Sequence, residues 1–158
     1  MAGVNKKIRG ATSVVEDNIE FRSKLEARLY AVLKENGFSP GYECMTFNIC
    51  EGFYPKLPCY DVHYDRKLKR KVFGINTSKV QAITYTPDFT ILLGNTLVII
   101  EAKGRENDVF PYKKKLFRKW AEGYCEMTGM RIVYFEIFNK AQMLDAIEIM
   151  KHLNDQST

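Results

Sequence analysis

The sequence predicts a mixed α/β domain, and three observations carry that prediction: a helical apolar period over Asp17 to Asn36, a hairpin signal at Gly94-Asn95, and a helix, a strand and a helix in succession after it. With 158 residues, 46% apolar and 27% charged, the chain can bury about two-thirds of its unfolded surface around one core, which excludes disordered and collagen-like classes.

Residues 1 to 15 carry no sustained apolar period and are expected to form a flexible basic arm; residues 16 to 158 form one domain. Its first element is a helix from Asp17 to Asn36, with Phe21, Leu25, Leu29, Val32 and Leu33 at helical spacing and Asn36-Gly37 as the stop. Tyr42 to Ile49 reads as a strand. Cys50 to Val80 opens with glycine and proline and then turns basic, with no period of 2 or 3.6, so an insertion or irregular arm is expected at about 50–80. Ile83 to Leu93 and Thr96 to Lys103 are rich in β-branched and aromatic residues and flank the two-residue turn Gly94-Asn95. A second helix is expected from Pro111 to Met127, with Lys113, Leu116, Trp120, Tyr124 and Met127 on one side and Gly129 ending it. Arg131 to Phe138 is the next strand, and Asn139 caps a last helix carrying Leu144, Ile147, Met150 and Leu153.

The apolar run Leu97 to Ile100 is far too short to span a membrane, and the basic segment Met1 to Gly10 is not followed by an apolar signal core. A cytoplasmic location is expected, with Cys44, Cys50, Cys59 and Cys125 as reduced thiols. The first three and His63 lack the paired CxxC knuckle of a zinc site, and no glycine-rich phosphate loop points to a nucleotide cofactor.

The net charge of +5 is concentrated in two places. Arg66, Lys67, Lys69, Arg70 and Lys71 fill five of six consecutive positions, and Lys114, Lys115, Arg118 and Lys119 occupy the face of the second helix opposite Leu116, Trp120 and Tyr124. Both groups are candidates to contact a polyanion such as the DNA backbone. Tyr54, Tyr60, Tyr64 and Phe73 lie near the first group and suit either stacking on unpaired bases or ordinary packing.

The two-residue turn sets the register of the central hairpin. Leu93 pairs with Thr96, and stepping back along both strands brings Asp88 opposite Glu101 on one sheet face. Two carboxylates so placed repel unless something offsets their charge. A hard divalent cation does so, and Mg²⁺ prefers carboxylate oxygens, water and phosphate substrates. Strand alternation puts Lys103 on the same face, where an ammonium steers an attacking water or stabilises transition-state charge. Glu26 sits at the border of the first helix's apolar stripe and can reach the same site. The blander alternatives are a solvent-facing sheet with Lys103 as a shared ion-pair partner, and a surface pair between Glu26 and Arg22.

These residues also spell Pro87-Asp88, twelve intervening residues, then Glu101-Ala102-Lys103, which resembles the signature of the PD-(D/E)xK nuclease superfamily. FRSKLE (Phe21 to Glu26), Tyr42-Glu43, YTPDF (Tyr85 to Phe89) and EAKG (Glu101 to Gly104) follow the order found in the phage endonuclease I family of Holliday junction resolvases. The resemblance covers the first helix and the central hairpin and leaves Cys50 to Val80 unmatched. It implies a restriction-endonuclease-like fold, a mixed sheet flanked by helices, with Glu26, Asp88, Glu101 and Lys103 as the catalytic set. Asp88, Glu101 and the Ala102 carbonyl would hold a first Mg²⁺, with Mn²⁺ as a substitute, Glu26 would help with a second, and Lys103 would orient the nucleophilic water. It further implies branched or duplex DNA as partner, a homodimer, no membrane association and a phage-infected bacterial cell as the setting. Two other readings of the same residues are a site-specific or nicking endonuclease whose 50–80 segment reads bases, and a non-catalytic DNA-binding module of the same fold.

Overall fold

The structure, a computed structural model, describes residues 12–104 and 109–155. The expected basic arm lies outside the described residues over positions 1–11, and its last part is a strand instead. Strands β1 (Val14–Glu16) and β2 (Ile19–Phe21) form a hairpin in register Glu16 to Ile19. Asp17 and Asn18 turn it at φ 49° and 61°, a left-handed pair that Asp and Asn tolerate better than other non-glycine residues. The first helix is correspondingly shorter than its apolar period suggested. Helix α1 runs Lys24–Glu35, and Phe21, taken from the period as helical, belongs to β2.

By its internal packing the chain divides into two units, Phe47–Tyr85 and the chain on either side of it. The flanking chain builds a mixed four-stranded sheet in the order β10 (Arg131–Ile137), β9 (Thr96–Ala102), β8 (Phe89–Leu93), β3 (Gly41–Tyr42). β8 and β9 are antiparallel with Leu93 opposite Thr96, the register that the Gly94-Asn95 turn predicts, and Gly94 takes φ 55°. β10 lies parallel to β9, with helix α2 (Phe110–Thr128) as the crossover. Asn95 fastens the turn to the start of β10, donating to the Gly129 carbonyl and accepting the Arg131 N–H.

β9 is buried along its whole length because both sheet faces are covered. Phe89, Ile91, Val98, Ile100 and Ala102 form one core with Leu29, Tyr30 and Leu33 of α1 and Met143, Ile147 and Met150 of helix α3 (Lys140–Asp155). Each such large apolar side chain contributes about 1.5–3 kcal/mol. Asn139 caps α3 as expected, accepting the Gln142 N–H at 3.0 Å. Leu144 faces solvent, and Met143 takes the buried place assigned to it.

On the other face α2 leans on β10 through Phe117, whose ring centroid is 5.7 Å from that of Tyr134. The buried stripe of α2 is therefore Phe110, Phe117 and Ala121. Leu116 and Met127, expected on the packed side, are exposed.

In the other unit, β4 (Phe47–Cys50) pairs with β7 (Ile83–Tyr85), and β5 (Tyr60–Asp65) pairs with β6 (Arg70–Ile75) in a six-residue antiparallel ribbon. The segment expected to be irregular therefore contains a regular hairpin. Two expected strands are cut in two by this division. Tyr42 to Ile49 breaks at Glu43, which turns the chain at φ 44°, and Ile83 to Leu93 breaks at Thr86-Pro87-Asp88, where Pro87 has no N–H for a ladder.

Candidate active site

Asp88 stands one step beyond the last ladder pair, Phe89 with Ile100. Its carboxylate replaces a strand carbonyl there, Oδ2 accepting the Ala102 N–H at 2.7 Å. Burial, then the charges of Glu101 and Glu26, push the Asp88 carboxyl well above its ordinary range, with the Ala102 N–H and Lys103 offsetting part. Glu101 is 5% exposed, and the Lys103 ammonium lies 2.5 Å from its Oε1. That ammonium also lies 3.7 Å from the centroid of the Phe110 ring, so the first turn of α2 roofs it. The Lys103 N–H donates to the Ile137 carbonyl and carries the β9 to β10 pairing one residue further.

Glu26 is held for a reason the apolar period did not show. Ser23 caps α1, its Oγ accepting the Glu26 N–H at 3.2 Å, and Glu26 Oε1 accepts the Ser23 hydroxyl at 2.7 Å. Ser23-x-x-Glu26 thus has the capping-box sequence, with Glu26 reaching back to the Ser23 hydroxyl rather than to the Ser23 N–H. Oε2 takes the Arg22 N–H at 3.0 Å and the Tyr42 hydroxyl at 2.7 Å. The surface pair between Glu26 and Arg22 is not formed, because the Arg22 guanidinium pairs with Glu43 at 2.7 Å.

Tyr42 and Glu43 enter the site without having been singled out for it. The Glu43 N–H donates to the Asp88 carbonyl at 2.9 Å, tying the edge strand to the Pro87-Asp88 turn. Burial raises the Glu43 carboxyl, Arg22 pulls it down, and Glu26 and Glu101 push it further up. The sequence signal was the Tyr42-Glu43 step itself, whose role depends on the chain reversal at Glu43.

Four carboxylates, Glu26, Glu43, Asp88 and Glu101, thus share one electrostatic neighbourhood with two cations, Arg22 and Lys103. The excess is negative and all ligand atoms are hard oxygens, which suits a hard divalent cation. Among the described residues no group of three or more His, Cys, Asp or Glu side chains forms a ready-made metal cage. Mg²⁺ does not require one, since it is held through one or two carboxylates with water and substrate oxygens.

Residues 6–138 match the family described as protein of unknown function (DUF1064). The chain belongs to that family. No curated protein and no solved structure matches the chain. The family match takes in all the site residues, both basic groups and the strands through β10, and ends before α3.

The basic groups are placed unevenly. Lys115, Arg118 and Lys119 are exposed on α2. Lys114 is not part of that free face; it is half-buried and pairs with Glu136 at 2.6 Å. Arg66, Lys67, Lys69, Arg70 and Lys71 lie at the tip of the β5 to β6 ribbon, in the other unit from the carboxylates. The cysteines are free thiols, and among the described residues no helix is long and apolar enough to cross a membrane.

Proposed function

We propose that the protein is a metal-dependent DNA endonuclease of the PD-(D/E)xK type with a restriction-endonuclease-like fold, selective for branched DNA such as Holliday junctions and acting as a homodimer. The observation that carries the proposal is the gathering of Asp88 and Glu101 one step beyond the last pair of the central hairpin, where Asp88 accepts the Ala102 N–H, Lys103 pairs with Glu101, and burial and then the charges of Glu101 and Glu26 raise the Asp88 carboxyl. A solvated ion-pair sheet would leave these groups exposed, whereas Glu101 is buried. A DNA-binding module gains nothing from buried carboxylates that repel phosphate.

Mg²⁺, or Mn²⁺ in its place, would be held by Asp88, Glu101 and the Ala102 carbonyl and would supply Lewis-acid activation of the phosphodiester. Lys103 orients the attacking water and stabilises charge on the phosphoryl oxygens. The water oxygen bonds to phosphorus and gives up a proton to solvent, the bond from phosphorus to the 3′-oxygen breaks, and that oxygen takes a proton from solvent, leaving a 5′-phosphate and a 3′-hydroxyl. Glu26 enters the set through its charge and through its hold on Tyr42, with both of its oxygens already accepting hydrogen bonds. Lys115, Arg118 and Lys119 offer exposed contacts for the phosphate backbone.

The test is cleavage of a labelled immobile four-way junction beside its linear duplex arms in Mg²⁺, with Glu101→Gln as control. Paired nicks near the branch point, absent from the duplex and from the variant, are expected. Equal cutting of junction and duplex would retain the nuclease and remove the branch selectivity. No cutting of either substrate would overturn the proposal.

A further inference from the structure

The β5 to β6 ribbon has two unlike faces. Its register pairs Tyr60 with Ile75, Val62 with Phe73 and Tyr64 with Lys71, so these six side chains project on one side. Five of them are apolar or aromatic, and each is more than half exposed: Tyr60 58%, Val62 56%, Tyr64 58%, Phe73 73% and Ile75 60%. Asp61, His63 and Asp65 project on the other side, where the His63 ring packs under Gly74 so closely that a Cβ on Gly74 would collide with it. Asp61 is engaged there by the Asn76 amide at 2.6 Å.

The tip is equally one-sided in charge. Asp65 Oδ1 accepts the N–H groups of Lys67 and Leu68 at 2.7 and 2.9 Å, which spends that carboxylate on holding the turn. Those backbone bonds, the largest cause, hold the exposed Asp65 carboxyl below its ordinary value. Arg66, Lys67, Lys69, Arg70 and Lys71 form no ion pair within the described residues. A core explanation of the ribbon aromatics is excluded by their exposure, and an exposed apolar face of this kind marks a contact surface.

We infer that the aromatic face of the ribbon is a docking platform for the unpaired bases of a DNA strand, with the basic tip holding the adjoining phosphates. The aromatic rings alternate between strands in the order Tyr60, Phe73, Tyr64, advancing two residues at each step, about 6.6 Å along the ribbon. Flat rings at regular intervals stack on bases of any sequence, and cations beside them neutralise phosphate. Lys71 is on the aromatic side, whereas Arg70 lies on the other side with Asp61 and Asp65, so the balance of charge along the strands directs a polyanion to the side that carries the rings. The inference rests on the nuclease reading only in taking the strand to be DNA, and it assigns to the ribbon the recognition of unpaired segments.

The test uses the full chain carrying Glu101→Gln, with EDTA present, so that cleavage plays no part. Binding of labelled oligothymidylate and of a duplex of equal length is followed by fluorescence anisotropy. Tyr60→Leu, Phe73→Leu and Tyr64→Leu together keep apolar area and remove the flat rings. The triple variant is expected to bind the single strand at least about tenfold more weakly, with duplex binding and the salt slope unchanged. Tyr60→Phe with Tyr64→Phe, which keeps the rings, should restore binding to the parent level. Unchanged strand binding in the leucine variant would overturn the inference. So would equal losses for strand and duplex. A conversion from dimer to monomer in sedimentation, with strand binding intact, would overturn it too and assign the face to a second copy of the chain. Because no step requires turnover, failure of the nuclease reading in the junction assay leaves this result interpretable by itself.

Discussion

The Tyr42 hydroxyl donates to Glu26 Oε2 at 2.7 Å, joining the edge strand of the sheet to the capped first turn of α1. The Tyr42 oxygen in turn accepts the Arg22 N–H at 3.2 Å. Burial and the bond to Glu26 push the phenol well above its ordinary value, so Tyr42 is a committed donor at all physiological pH. Tyr42→Phe leaves Glu26 with the Ser23 hydroxyl and the Arg22 N–H. Hydrogen bonds to charged groups contribute about 1.5–3 kcal/mol, and this half-buried one belongs at the lower end. Urea unfolding should show that loss at unchanged m-value, with a parallel drop in cleavage of the junction substrate. An unaltered midpoint would remove Tyr42 from the framework of the site.

Asp88 is expected to be bad for stability and necessary for activity. A carboxyl whose folded-state value is raised binds its proton more tightly folded than unfolded. Stability is therefore full below the ordinary value of 3.8 and falls as pH rises through the window up to the raised value. Asp88→Asn keeps an oxygen for the Ala102 N–H and removes the charge. The variant should melt higher than the parent at neutral pH, the two should converge below about pH 4, and cleavage should be lost. Parallel melting curves across that pH range would show that Asp88 carries no such strain.

A divalent cation should relieve the same excess of negative charge. Mg²⁺ is expected to raise the melting temperature in a saturable manner, worth about 2.7 kcal/mol at a hundredfold excess over its dissociation constant. The shift should be lost in Glu101→Gln and in Asp88→Asn. If both variants respond to Mg²⁺ like the parent, the ion binds elsewhere.

The exposed side of α2 should behave differently from Lys114. Replacing Lys115, Arg118 and Lys119 by alanine should reduce the slope of log binding constant against log salt by up to about 2.7, at about 0.9 for each phosphate no longer neutralised. Lys114→Met should instead lower stability, since it leaves the half-buried Glu136 carboxylate without its partner. Salt titrations of duplex binding and thermal melts of the two variants separate these outcomes.

Three elements mark how far the sequence reaches. The central hairpin was legible from the Leu93 and Thr96 pair down to Phe89 and Ile100, because a two-residue turn leaves no freedom of register and period-2 alternation then assigns each side chain to a face. The ribbon was not, because the alternation of Tyr60 to Asp65 spans only six residues and its partner Arg70 to Ile75 does not repeat it, with Lys71 on the aromatic side and Val72 on the polar one. The start of α1 was misplaced for a third reason: the apolar period continues through Phe21, although Ser23-x-x-Glu26 marks the true start and Asp17-Asn18 the preceding turn.

By itself, the sequence determined the hairpin register that leaves Asp88 and Glu101 just past its last pair, the place of Lys103 two residues beyond Glu101, and the helix, strand and helix that follow. These are local matters, decided within a few residues by turn geometry and side-chain alternation. Only the tertiary structure decided that Glu26 would share their field, that Tyr42 and Glu43 would brace it, that Lys114 would be taken by Glu136, and that the aromatic side chains of the ribbon would face solvent. Each depends on which distant segments pack together, and that is settled by burial of the whole core.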